Sequence, residues 1–160
     1  MKLVHYSGEP IGKLHAVEPP DRGALKPRGL WLSDDDCEEN WRWWCVAEGF
    51  GLDRLTHVYD VELGNQHHGL LLDSAAAIDS FTEKYEIELI PDMRNGVFID
   101  WARVMQEYSA IVCTPYIWAR RLGPLWYYGW DCASGCVWDV SAIKSIRLRE
   151  VVPVPQVGGS

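Results

Sequence analysis

The run Gly29-Leu30-Trp31-Leu32-Ser33, followed within a dozen or so residues by Trp41, Trp43 and Trp44, constrains this chain more than any other stretch. A short apolar strand leads into an acidic segment, and the helix that follows carries three indoles within four positions. Nine tryptophans in 160 residues is far above ordinary usage, and a second group gathers at Trp118, Trp126, Trp130 and Trp138. Indole offers a large rigid face and one N–H donor. Clustered indoles therefore suit either the core of a small domain or a pocket that stacks on a flat ligand. Sequence alone leaves both readings open.

The remaining pattern is one of short strands and a few helices. Residues 3–6 read as an opening strand, and residues 7–28 as a long loop holding Pro10, Pro19, Pro20 and Pro27. Loops of that length are usually functional or mobile. Residues 29–32 form the second strand. Ser33 before Asp34, Asp35 and Asp36 has the pattern of a helix cap with carboxylates loading the first turn. That helix is expected to run through Trp41, Trp44 and Cys45 and to stop at the glycines Gly49 and Gly51.

Residues 56–63 alternate apolar and polar as a strand does, and residues 69–72 suit another. Asp73 or Ser74 is placed to cap an alanine-rich helix reaching Tyr85. A third helix starts at Asp100, with Trp101, Val104, Met105 and Tyr108 on one face. Residues 110–113 make an apolar strand stopped by Pro115. Residues 136–139 and 145–149 close the fold, and residues 151–160 read as a flexible tail. The sum is one α+β domain over residues 1–150, with no internal repeat.

Charge and cysteine usage narrow the function classes. A net charge of −8 disfavours a protein that grips nucleic-acid phosphates by bulk attraction. The adjacent basic pair is Arg120-Arg121. The opening Met1-Lys2-Leu3-Val4-His5-Tyr6 lacks the apolar stretch of a secretion signal, and no run has membrane-spanning length. A cytoplasmic protein with no membrane partner is expected. Five cysteines, an odd number, suit reduced thiols. Cys132 and Cys136 are four apart beside Gly135, and His67-His68 on a strand would point to opposite faces, so neither pair promises a metal site.

The order of these pieces resembles a family. A first strand bearing His5-Tyr6-Ser7, a loop, then Gly29-Leu30-Trp31-Leu32-Ser33 and an aromatic-bearing helix is similar to the ADP-ribosyltransferase fold. The likeness is to its diphtheria-toxin and poly(ADP-ribose) polymerase branch, known by a His-Tyr-Glu triad. The resemblance implies split antiparallel β-sheets that open into an NAD-binding cleft. It also implies that His5, with neighbouring Tyr6, holds the adenosine ribose. Trp31 and Ser33, with Trp41 or Trp43, would then form the nicotinamide site. Indole faces suit a flat cation.

The chain departs from the family twice. Trp31 replaces the family's tyrosine, which keeps stacking and loses the phenol. Counting back from Val137-Trp138-Asp139 places Ser134 where the family has its catalytic glutamate. Serine cannot stabilise an oxocarbenium cation as a carboxylate does. Asp131, three residues earlier, or Asp139 would substitute if a bulge at Gly135 shifts the register. Three functions follow: an NAD-dependent transferase acting on a protein target, a catalytically silent NAD-, ADP-ribose- or protein-binding module of the same fold, or an unrelated α+β interaction protein.

Overall fold

Ala110-Ile111-Val112-Cys113 is apolar at every position, and such a strand needs cover on both faces. A computed structural model, which describes residues 1–64, 68–89 and 96–156, provides that cover. The elements in chain order are β1 (Leu3–Ser7), β2 (Leu30–Asp34), α1 (Trp41–Glu48), β3 (His57–Leu63), β4 (Gly69–Leu72), α2 (Ala75–Tyr85), β5 (Glu86–Glu88), β6 (Val97–Ile99), α3 (Trp101–Glu107), β7 (Ala110–Cys113), α4 (Leu125–Tyr128), β8 (Ser134–Val137) and β9 (Ile143–Val151). The class is mixed α and β. Seven strands form one sheet in the order β4-β7-β8-β2-β1-β3-β9, while β5 and β6 pair separately. Among the described residues, only the β4–β7 strand pair in the large sheet is parallel.

Alternation along β7 decides what lies on each side. Ile111 and Cys113 join a core built with Ile78, Phe81 and Tyr85 of α2, Trp101 and Val104 of α3, and Trp126 and Tyr127 of α4. Ala110 and Val112 join a second core with Leu3, Leu32, Val61, Val137 and Ala142. In sheet order β7 and β3 lie four steps apart, roughly 19 Å if the sheet were flat. Val61 and Val112 nevertheless line a common groove, so the sheet curls until its two halves face each other.

The halves are joined weakly. β1 pairs with β3 through four positions and β2 pairs with β8 through four, but β1 and β2 share only Leu3 with Asp34 and Val4 with Ser33. Beyond Val4 the two strands part. Gly29 sets where β2 begins: its φ is +156°, and a Cβ there would collide with the Val137 carbonyl. No L side chain fits that approach.

Several expectations hold. Ser74 caps α2, Asp100 caps α3, and Gly49 closes α1 in the left-handed region at φ 64°. Ser33 does not cap a helix. It continues β2, as does Asp34, and α1 begins seven residues later under Asn40, whose side chain accepts from Trp43 N at 2.9 Å. The reason is Asp34, which is buried and accepts from Thr114 Oγ1 at 2.7 Å and Lys2 N at 2.9 Å. Burial works to raise its pKa, yet these hydrogen bonds prevail and hold the carboxyl below its ordinary value. A carboxylate so engaged belongs to the sheet.

Strand β8 starts at Ser134 and ends at Val137, earlier than residues 136–139. Strand β9 runs to Val151, and Val152 N donates to the Thr56 carbonyl, so order continues past the expected boundary of the domain. Residues 157–160 of the expected flexible tail lie outside the described residues, as does His67. Among the described residues, no helix is long and apolar enough to cross a membrane.

Candidate functional site

The parting of β1 and β2 opens a cavity of about 330 Å³. His5 and Tyr6 border it from β1, and Trp31 and Ser33 from β2. Trp41 enters from α1, Asp131 from the turn ahead of β8 and Ser134 from the start of β8. Seven of the eight residues that the sequence singled out as catalytic or cofactor-binding thus line one space.

The exception is Trp43. On a helix, Trp41 and Trp44 share a face and Trp43 turns away from it. Trp41 and Trp44 stack with centroids 5.2 Å apart, with Phe50 set edge-on to both. Trp43 is 45% exposed and borders an outer groove with Arg42, Val46 and Pro155. It is not a wall of the cavity.

His5 holds the opening in shape. Its Nδ1 lies 2.8 Å from the Trp31 carbonyl oxygen, in the place a strand-to-strand hydrogen bond would otherwise fill. A carbonyl only accepts, so Nδ1 carries the proton and Nε2 is left as an acceptor. Burial lowers the His5 pKa, and the bond to Trp31 opposes that without reversing it. His5 is therefore neutral near pH 7.

Tyr6 and Ser33 are tied together through Asp35. Tyr6 donates its hydroxyl to Asp35 Oδ2 at 2.8 Å, and Ser33 Oγ donates to Asp35 Oδ1 at 2.9 Å. Ser33 Oγ also accepts from Trp41 N at 3.1 Å, and Arg149 stands 3.8 Å from Asp35. Burial, then the Asp35 bond, push the Tyr6 phenol well above its ordinary pKa. These contacts fix β1, β2 and the start of α1 relative to one another. Ser33 spends its hydroxyl proton on that frame, so its part in the cavity is structural support.

The acidic corner holds Asp131, as expected, but without the expected bulge. Gly135 pairs in regular register with Leu32 on one side and Val112 on the other, so no bulge shifts the strand. Asp131 reaches the cavity from the turn ahead of β8, where its carboxylate lies 3.7 Å from the Lys26 ammonium and stays a quarter exposed. Ser134 is buried and donates to the Cys132 carbonyl at 3.0 Å. Asp139 is elsewhere, capping a short turn through Ser141 N at 2.9 Å. Of the two aspartates, Asp131 alone faces the cavity.

Lys26, Phe50, Arg54 and Trp130 also line the walls; the sequence pattern gave no signal for Lys26 or Arg54, and offered Trp130 only as one of the second tryptophan group. Lys26 is held by its loop, which the core fastens: buried Trp101 donates its indole N–H to the Ala24 carbonyl at 3.1 Å. The thiols are poor nucleophiles. Cys132 lines the cavity, but burial pushes it up to about 12. All five cysteines are free thiols. Among the described residues no cluster of three or more His, Cys, Asp or Glu is placed to hold a metal ion. The Arg120-Arg121 pair is engaged, Arg120 with Asp79 at 2.6 Å and Arg121 over the Trp118 ring at 5.4 Å.

The arrangement combines aromatic faces, a neutral imidazole acceptor, two cations and one carboxylate in a space at the small end of ligand pockets. It can stack a flat ring and set an anion beside it. No family model, curated protein or solved structure matches the chain.

Proposed function

We propose that the chain adopts an ADP-ribosyltransferase-like arrangement and that the cavity takes the nicotinamide end of NAD, transferring ADP-ribose to a protein acceptor. One observation carries this reading: β1 and β2 part just where His5 and Trp31 stand, and Asp131 faces the opening they create. Trp31 and Trp41 supply faces for the ring. Asp131 supplies the anion beside the ribose, where positive charge develops as the nicotinamide bond breaks. The net charge of −8 suits a protein acceptor better than a nucleic acid.

The test is release of free nicotinamide from NAD by the purified protein. Asp131→Asn keeps the shape and removes the charge. It should slow release about a hundredfold to a thousandfold, the usual loss for one preorganised electrostatic contact. Turnover that survives the substitution removes Asp131 from the mechanism.

Ser134 favours a second reading, a silent module of the same arrangement. Its hydroxyl is committed to the Cys132 carbonyl and it bears no charge. NAD binding without release in the wild type, with release gained in Ser134→Glu, would establish that reading over the first.

A further inference from the structure

The stacking face of Trp31 already has a cation on it. The Lys26 ammonium lies 5.4 Å from the Trp31 ring centroid and 3.7 Å from Asp131 Oδ2, so one charge touches both groups that a bound pyridinium would use. The loop that carries it is fastened two residues away, where Trp101 donates its indole N–H to the Ala24 carbonyl.

We propose that Lys26 is the specificity-determining residue of this cavity: its ammonium holds the place, over the Trp31 indole and beside the Asp131 carboxylate, that a flat cationic ring takes on binding. The inference rests on the nicotinamide reading and adds a chemical class to it. Binding is an exchange of one cation for another. A pyridinium replaces both contacts that Lys26 gives up. A neutral ring of the same shape replaces only the stacking and leaves Asp131 without its partner. The site therefore selects the oxidised, charged ring over a neutral one. The exchange is easy because the lysine is 39% exposed and its ion pair is long. Such contacts are weak, and the freed ammonium returns to water.

The probes are 1-methylnicotinamide, a cation without phosphates, and neutral nicotinamide, each titrated by quenching of intrinsic fluorescence. Wild-type protein should bind the cation more tightly than the neutral ring, and Asp131→Asn should reduce that preference to what the Trp31 face alone gives. Lys26→Ala removes the competitor and should tighten 1-methylnicotinamide about three- to fivefold, the size of one exposed cation–π contact with a weak ion pair. Lys26→Arg keeps a cation in place and should bind as the wild type does. An unchanged thermal melt confirms that each variant is folded. If the wild type binds and Lys26→Ala binds equally or more weakly, the exchange is refuted while the nicotinamide reading stands. If neither probe binds any of the proteins, the nicotinamide reading fails and the exchange fails with it.

Discussion

Trp126 and Trp31 belong to the same core cluster, yet they are held in opposite ways. Trp126 is wholly buried and donates its indole N–H to Thr82 Oγ1 at 2.9 Å. Trp101 and Trp138 do likewise, donating to the Ala24 and Tyr108 carbonyls at 3.1 and 2.6 Å. Trp31 and Trp41 are half-buried, and neither indole N–H donates to a partner among the described residues. A buried indole needs an internal acceptor because water cannot reach it. An indole facing a cavity has one free for a ligand or solvent. Trp130 marks the boundary: it packs against Trp101 and Trp126 on the core side and borders the cavity beside Trp31. Two tryptophan populations that look alike in sequence are thus separated by whether their nitrogens have an internal acceptor among the described residues.

The sharpest way to break this division is to truncate one indole of each kind. Trp126→Ala opens a hole between α2 and α4, so it should cost about 3–5 kcal/mol of stability by urea denaturation. Trp31→Ala should leave the protein folded and weaken NAD binding about tenfold, the worth of roughly 1–2 kcal/mol of stacking and cation–π attraction. Equal destabilisation by the two substitutions, with unchanged affinity in Trp31→Ala, would make Trp31 a core residue.

The pH dependence of stability should be the smallest effect, and it belongs to the cavity side. His5 titrates below its ordinary value of 6.5 in the folded protein, because burial disfavours its charged form. Between that lowered value and 6.5 the unfolded chain holds the proton and the folded chain does not. This contribution to stability is therefore full above 6.5 and is lost as pH falls through the folded value. His5→Gln should flatten that part of the curve in urea midpoints taken from about pH 5 to 8. A slope that persists in the variant would place the titrating group elsewhere.

Most of the elements could be read from the chain because local chemistry fixes them. Ser74 and Asp100 cap their helices by short-range hydrogen bonds, and the apolar run at residues 110–113 has few alternatives to a strand. The strands β5 and β6 could not be read, since three residues each are too few to show a period. The Ser33 cap misled because the neighbouring Asp34 is held in the sheet by Thr114, some eighty residues away. The site was legible where it lies on regular strands, at His5 and Trp31. It was not legible at Lys26 and Arg54, which a loop and a short 3-10 turn bring to the cavity. Trp43 was offered beside Trp41 as the second aromatic that the family resemblance implies, and helical geometry turns it to the outside.

The central claim, that the opening between β1 and β2 is a ring-binding site distinct from the tryptophan core, is tested most directly on the indole N–H signals. There are nine tryptophans, and ¹H–¹⁵N spectra with single-site assignments resolve each in turn as NAD is added. The account predicts saturable shifts at Trp31 and Trp41, a smaller one at Trp130, and none at Trp101, Trp126 or Trp138. Signals that all stay in place, or that move at Trp43 and Trp118 instead, would contradict it.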